Sequence, residues 1–225
     1  MTTELSSNVR KRAKVLIVDD HPVVRYGLVQ MLSNELDLEI CGEAASAQEA
    51  LALVDQRKPD VAVVDISLKG TNGIELVKQI HAMRPEARIL VSSMHDEKLF
   101  AERALRAGAS GYINKQVAIN EMVGAIRRVL SGKVYLSPPM TERMVERAAR
   151  LDSDASRSVI QRLSDRELEV FSLLGDGLST REVAQRLNLS VKTIETHRAQ
   201  IKRKLGLRNS TELIQHAVEW TLRQG

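Results

Sequence analysis

Three aspartates in the N-terminal half of the sequence stand directly after short apolar runs. Asp19 and Asp20 follow VLIV, and Asp65 follows VAVV. Three carboxylates brought to one place repel one another unless a cation lies among them. Mg²⁺ suits such a site, because it binds one or two carboxylates together with a carbonyl and several waters. The residue types therefore indicate a magnesium site with an aspartate that can act as a nucleophile.

A hydroxyl and an ammonium group follow the same pattern further along the chain. Ser92 and Ser93 end the run RILVSS, and Lys115 comes directly after GYIN. A lysine ammonium is a point charge for phosphate oxygens, and a nearby hydroxyl can donate to another oxygen. With Mg²⁺ neutralising charge, these groups predict phosphoryl transfer onto Asp65, giving an acyl phosphate held by Lys115 and Ser93.

The elements that must position these residues are five units of strand followed by helix, between residues 14 and 132. Parallel strands require helical crossovers and are buried on both faces, so the alternation predicts an α/β doubly wound domain with a five-stranded parallel sheet. In such folds the functional crevice lies beyond the carboxyl ends of the strands. The candidate residues all stand at those ends.

Two other interpretations compete for these residues. Asp20 could be the N-cap of the first helix, with Pro22 in its first turn, alongside a metal-binding role or without one. An enzyme of the haloacid-dehalogenase-like phosphatase class also uses an aspartate nucleophile with Mg²⁺. That class needs a second acid two residues after the nucleophile, where this chain has Ser67, so turnover of outside phosphate esters is disfavoured.

The stretches DDHPVV, DISLKGTNGIEL, SSMHDE and ALRAGASGYINK make residues 14–132 resemble the receiver domain of a two-component response regulator. The resemblance implies a flavodoxin-like strand order, 2-1-3-4-5. It also implies that Asp65 is the phosphoacceptor. The 22-residue step from Ser93 to Lys115 fits the family and favours Ser93 over Ser92 as the switch hydroxyl. The roles implied for the remaining residues are Mg²⁺ ligands for Asp19, Asp20, Asp65 and the backbone carbonyl of Ser67, a phosphate-binding lysine for Lys115, and an aromatic switch for Tyr112.

The sequence after residue 160 contains four helical runs with short connections and no strand-like alternation. Two of them, residues 180–188 and 191–205, flank a tight turn, which is typical of a helix-turn-helix. Ser179 and Ser190 can cap them. Residues 190–208 contain six basic side chains and a single acidic one, that of Glu195. Such a basic stripe favours binding to nucleic acid phosphates.

Residues 163–218 closely resemble the output domain of the NarL/FixJ subfamily of response regulators, shared with LuxR-type proteins. The resemblance makes residues 191–205 the recognition helix and residues 210–222 a dimerisation helix. A carboxylate at Glu195 would accept a hydrogen bond from cytosine, so the preferred DNA sequence should differ from that of relatives with lysine there. The base-facing positions are Glu195, Thr196 and Ala199, and the expected phosphate contacts are Lys192, Thr193, His197, Arg198, Lys202 and Arg203.

Composition agrees with a two-domain globular protein. The 225 residues are 43% hydrophobic and 28% charged, with a net charge of +4 and one cysteine, Cys41. No apolar stretch is long enough to cross a membrane, and the start has no signal-peptide pattern, so a cytoplasmic protein without a membrane partner is expected. The expected divisions are a flexible basic tail at 1–12, a receiver at 13–133, a linker with a short helix at 134–159, and an all-α four-helix helix-turn-helix domain at 160–225.

These features predict a transcription regulator controlled by phosphorylation. A sensor histidine kinase would phosphorylate Asp65 with Mg²⁺, altering interdomain contacts or dimerisation and hence binding to double-stranded DNA. A homodimer is expected when the protein is phosphorylated or bound to DNA. Enzymatic activity would be limited to self-phosphorylation and self-dephosphorylation of the receiver. A phosphorylation-independent DNA-binding or scaffold protein with a vestigial receiver remains the alternative.

Overall fold

The computed structural model describes residues 12–68, 72–116, 119–149 and 159–224. Nearly all of the expected N-terminal tail, 1–11, and part of the expected linker, 150–158, lie outside the described residues. Among the residues described, no helix is both long and apolar enough to cross a membrane.

The sheet of the N-terminal domain has five strands, all parallel, in the order β2-β1-β3-β4-β5. This confirms the predicted strand order. The three central strands consist largely of buried aliphatic residues, as expected for a sheet covered on both faces. The bounds of the five strands are Ala13–Val18 (β1), Leu38–Ala44 (β2), Val61–Val64 (β3), Arg88–Ser93 (β4) and Gly111–Asn114 (β5).

Five helices cover the two faces of this sheet. Their bounds are Pro22–Ser33 (α1), Ala47–Arg57 (α2), Gly73–Met83 (α3), Glu97–Arg106 (α4) and Ile119–Leu130 (α5). Alternate residues of each strand point to opposite faces, so Val15 and Ile17 pack with α1 and α5, whereas Leu16 and Val18 pack with α2, α3 and α4.

The helix starts explain which side chains stay available at the carboxyl edge of the sheet. Ser46, Asn72 and Asp96 each cap the following helix by accepting a backbone N–H. The proposed capping role of Asp20 is wrong: the N-cap of α1 is His21, which makes no side-chain cap bond, and Pro22 begins the helix. The carboxylate of Asp20 is thus not used in a cap.

The described elements that follow α5 are helices. They are Pro138–Ala149 (α6), a short 3-10 helix Val159–Arg162, Asp165–Gly175 (α7), Thr180–Arg186 (α8), Val191–Leu205 (α9) and Ser210–Gln224 (α10). Ser179 and Ser190 cap α8 and α9 as expected. Helices α8 and α9 form the helix-turn-helix, whose inward residues Val183, Ile194 and Ile201 are fully buried.

Candidate functional site

Lys115 brings together two aspartates from different strand ends. Its Nζ lies 2.5 Å from Asp19 Oδ2 and 2.7 Å from Asp65 Oδ2. The aspartate side chains are each 2% exposed, and the lysine side chain is 11% exposed. These residues are 96 and 50 positions apart along the chain. They meet because β1, β3 and β5 are parallel and end at the same edge.

Burial shapes the ionisation of this group. Removal from water raises the pKa of Asp65, and the ammonium of Lys115 opposes part of that rise. Burial alone would lower the pKa of Lys115, but the carboxylates of Asp65 and Asp19 outweigh it and leave the pKa above its ordinary value. Lys115 is therefore a firmly charged cation beside the candidate nucleophile.

Asp19, Asp20, His21 and Asp65 form an acidic cluster, in which each side chain offers one ligand atom within 4.8 Å of the others. His21 is 63% exposed, and its Nδ1 lies 2.8 Å from Asp20 Oδ1. Three buried carboxylates from two neighbouring strand ends fit a hard cation such as Mg²⁺. His21 was not among the ligands predicted from the sequence, and its imidazole is a better ligand for softer metals.

The loop after β3 wraps closely around Asp65. The backbone N–H of Ser67 donates to Asp65 Oδ1 at 3.0 Å, which orients the carboxylate. Gly73, the first residue of α3, packs so tightly here that a Cβ at this position would collide with Asp65 O and Ile66 Cα. Sequence reasoning missed Gly73, since a close backbone approach has no periodic signal.

The two serines that end β4 differ in their surroundings. Ser93 is fully buried, and its Oγ accepts a hydrogen bond from the backbone N–H of His95 at 3.0 Å. Ser92 Oγ is also buried but has no hydrogen-bond partner among the described residues. It lines a crevice shared with Asp65 and Lys115. Both hydroxyls are thus close to the site, and the switch role of Ser93 stays a prediction.

Tyr112 lies in the centre of β5 and is fully buried. Burial raises the pKa of its phenol, so the hydroxyl remains protonated and donates to His95 O at 2.9 Å. Tyr112 is thus tied to the chain just beyond Ser93.

The crevice above the strand ends has a volume of about 980 Å³ and lies between the two domains. One wall holds Asp65 and Lys115, and the opposite wall includes Leu173, Leu187 and Trp220. The helical domain is therefore docked over the edge of the sheet that carries the aspartates. This docking was not predicted.

Arg103 of α4 makes several of the polar contacts that hold the domains together. Its Nη1 donates to Leu163 O and to Asp165 Oδ1, each at 2.9 Å, and its Nη2 lies 3.4 Å from Ile160 O. Lys78 Nζ lies 3.8 Å from the other oxygen of Asp165. A further contact joins His95 to Glu169 of α7, with 3.3 Å between Nε2 and Oε1.

On α9, the candidate DNA-binding side chains fall into two groups. The three expected base-facing residues are exposed, although the receiver is docked nearby. Two expected phosphate contacts, Lys192 and Arg203, are exposed as well. Thr193, His197, Arg198 and Lys202 are partly buried.

Two of the partly buried residues, Arg198 and His197, differ in their polar contacts. Arg198 donates to Thr180 Oγ1 at the start of α8 and lies 3.3 Å from Glu195 Oε1, so it ties the two helices together. His197 Nδ1 is buried without a partner among the described residues. Burial and the nearby charge of Arg166 lower the pKa of His197, which favours the neutral imidazole.

Comparison with known families gives two matches. The response regulator receiver domain family matches residues 15–127. The family of bacterial regulatory proteins of the luxR type matches residues 161–217. The two matched segments contain the aspartate site and the helix-turn-helix, respectively.

Individual proteins resemble the chain over part or nearly all of its length. The oxygen regulatory protein NreC of Staphylococcus carnosus is 35% identical over 92% of this chain and 97% of its own length. A LuxR-family two-component response regulator from Aurantimonas is 37% identical, with a TM-score of 0.58 over 62% of this chain and 99% of that one. RcsB of Salmonella enterica, bound to promoter rprA with the phosphomimetic BeF₃⁻, is 26% identical, with a TM-score of 0.60 over 92% of this chain and 99% of its own.

Proposed function

Because the chain belongs to the two-component response regulators with a LuxR-type DNA-binding domain, we propose that a sensor histidine kinase phosphorylates it on Asp65 and so controls its binding to duplex DNA. The observation that carries this proposal is the contact of Lys115 with both Asp19 and Asp65 at the carboxyl edge of the sheet. A nucleophile, a cation and metal-binding carboxylates lie together there.

The proposed transfer gives each residue a role. A carboxylate oxygen of Asp65 forms a bond to phosphorus, while the bond between phosphorus and the imidazole nitrogen of the kinase breaks. Lys115 compensates the negative charge that gathers on the phosphoryl oxygens. Asp19, Asp20, Asp65 and the carbonyl of Ser67 would hold Mg²⁺, which neutralises charge on the transferring group.

The reaction should end at the aspartyl phosphate. Ser67 stands two residues after Asp65, where a phosphatase of the haloacid dehalogenase class needs an acid to protonate the leaving group. We therefore propose no enzymatic activity beyond formation and hydrolysis of the protein's own acyl phosphate. The phosphate acts as a signal, since it adds a charge of roughly −1.5 to −2 to the receiver.

The C-terminal domain is proposed to bind DNA through α9. Exposed Glu195, Thr196 and Ala199 would face base edges in the major groove, and Lys192 and Arg203 would contact phosphates. Thr193, His197, Arg198 and Lys202 complete the proposed contact set. Two chains would place two recognition helices about one helical turn apart, so a homodimer is the proposed DNA-bound form. Because duplex DNA is the proposed ligand, we place the protein in the cytoplasm.

We propose the same domain limits that the sequence suggested: a receiver at 13–133, a linker with helix α6 at 134–159 and an output domain at 160–225. The two family matches fall inside the receiver and output limits.

The proposed function is tested by incubating the full chain with acetyl phosphate and Mg²⁺ and measuring its mass. We expect an added phosphoryl group on the wild type and on Asp55→Asn, an exposed control on α2, and none on Asp65→Asn. Rapid turnover of outside phosphate esters would instead support a phosphatase. Absence of any adduct on the wild type would support the vestigial receiver.

A further inference from the structure

His95 connects the phosphorylation site to the DNA-binding domain. It lies just after β4, two residues beyond Ser93. Its Nε2 is 2.9 Å from Ser67 Oγ in the loop that holds Asp65, and 3.3 Å from Glu169 Oε1 of α7. The same nitrogen thus contacts both the loop that holds Asp65 and the output domain.

The main chain of His95 is tied to the two proposed switch residues. Its N–H donates to Ser93 Oγ at 3.0 Å, and its carbonyl accepts from Tyr112 Oη at 2.9 Å. Its ring packs against Phe100, with 4.9 Å between ring centroids. The imidazole is therefore held in one place by bonds that do not use its own nitrogens.

Glu169 is a buried acid that depends on its partners. Its side chain is 1% exposed, and its second oxygen lies 2.6 Å from Arg166 Nη1. Burial raises the pKa of Glu169, but hydrogen bonds from His95 and Arg166 outweigh it and keep the pKa below its ordinary value. Removing a donor from a buried carboxylate is costly, so the contact with His95 favours the docked arrangement.

We propose that His95 is the positioning residue through which phosphorylation of Asp65 releases the C-terminal domain. The inference rests on the proposed function, because it requires a phosphoryl group on Asp65. That group places anionic oxygens beside Ser67, where they compete with Glu169 for the N–H at Nε2 of His95. Glu169 then loses a donor and faces an added negative charge, so undocking becomes favourable.

Two other interdomain contacts, those of Arg103 and Lys78, do not have this connection. Arg103 lies on α4 and Lys78 on α3, and both contact the start of α7. In the described structure neither contacts Asp65, Ser67 or Lys115. Their strength should not depend directly on phosphorylation. Arg103→Ala is thus a control that weakens docking without breaking the proposed connection.

The test measures the radius of gyration of the full chain by small-angle scattering, with and without acetyl phosphate and Mg²⁺. Phosphate on each variant is counted by mass in the same samples. Wild type should change from compact to extended on phosphorylation. His95→Ala should lower the ratio of docked to undocked protein roughly tenfold before phosphorylation, because it removes a hydrogen bond to a charged group. Phosphorylation should then extend it little further.

Four further variants define the result. Arg103→Ala should be more extended than wild type at first but should still respond to phosphorylation. His95→Gln retains an N–H donor and should restore most of the compaction and the response. Glu169→Gln, which leaves the receiver unchanged, should behave like His95→Ala. Exposed Glu219→Gln on α10 should behave like wild type.

The inference is overturned if unphosphorylated His95→Ala and Glu169→Gln have the same radius of gyration as wild type and both extend on phosphorylation as wild type does. That outcome leaves the proposed function intact, because the adduct and the response are still present. Failure of the wild type to take up phosphate would overturn the proposed function itself, whatever the shape of the variants.

Discussion

Gly73 lies directly against the main chain of Asp65. A Cβ at position 73 would overlap Asp65 O and Ile66 Cα, and these are backbone atoms of the loop that orients the candidate nucleophile. The tight approach brings the start of α3 to the site, where the N–H of Ile74 is already bonded to Asn72 Oδ1.

Gly73→Ala should therefore impair phosphorylation of Asp65. The added methyl group must push the loop away, which displaces the nucleophile from Lys115 and costs about 1–3 kcal/mol of folding free energy. We expect the rate of adduct formation with acetyl phosphate to fall at least tenfold, as followed by mass. Gly124→Ala on the exposed side of α5 meets no atom within 4 Å and should react at the wild-type rate. Equal rates for both variants would contradict the importance of the close approach.

Substitution of the two serines should separate their roles. Ser92→Ala removes a buried hydroxyl that has no partner among the described residues, so it should raise the free energy of unfolding by about 1 kcal/mol. Ser93→Ala removes the acceptor of the His95 N–H and should lower stability by a similar amount.

The same pair tests the switch hydroxyl. Ser93→Ala should still accept phosphate but should lose most of the phosphorylation-dependent increase in DNA binding, measured by fluorescence anisotropy. Ser92→Ala should retain it. The reverse result would transfer the switch role to Ser92.

Two exposed residues of α9 should affect DNA binding differently. Arg203→Ala should weaken binding to all duplexes by a similar factor and reduce the slope of log K against log salt by about 1, because one phosphate contact is lost. Glu195→Ala should change the ranking of duplex sequences, as a binding-site selection experiment would show. Identical effects would contradict the placement of Glu195 toward bases.

Arg198→Ala should act on stability as well as on binding. The arginine bridges Thr180 of α8 and Glu195 of α9, so its loss should loosen the helix-turn-helix. We expect a lower midpoint of thermal unfolding for Arg198→Ala than for Arg203→Ala. Equal midpoints would show that the bridge contributes nothing to stability.

His197 should make stability depend on pH. Its folded pKa lies below the ordinary value of 6.5, so the folded protein favours the neutral imidazole. The contribution of this neutral imidazole to the free energy of unfolding is fully present above pH 6.5. It declines as pH falls toward the folded pKa, because the unfolded chain binds the proton first. Urea unfolding at pH 7 and pH 5.5 should show that the free energy of unfolding falls less with pH for His197→Gln than for wild type. The exposed control His216→Gln should show the wild-type loss.

Much of the fold was predictable because the sheet is buried on both faces. Continuous aliphatic runs therefore marked β1, β3 and β4, and parallel strands necessarily bring Asp19, Asp65 and Lys115 to one edge. The capping serines of α8 and α9 were predictable for a similar local reason, since the side chain bonds to a backbone N–H three residues later.

The contacts that were not predicted depend on how separate elements approach each other. His95 and Glu169 are 74 residues apart, and neither lies in a pattern that indicates a partner. The bond from Arg198 to Thr180 likewise requires the angle between two helices. The N-cap at His21 instead of Asp20 was missed because an aspartate two residues before a proline suits both a cap and a metal site.

The exposed face of α9 has a consequence for how the docked receiver would inhibit DNA binding. Glu195, Thr196 and Ala199 remain accessible to solvent while the receiver is docked, so a small reagent should label this face equally well in either state. Only a ligand as wide as a duplex, or a second chain, would meet the body of the receiver. The docked receiver would then inhibit binding of DNA or of a second chain by steric exclusion, while the base-facing residues of α9 stay exposed.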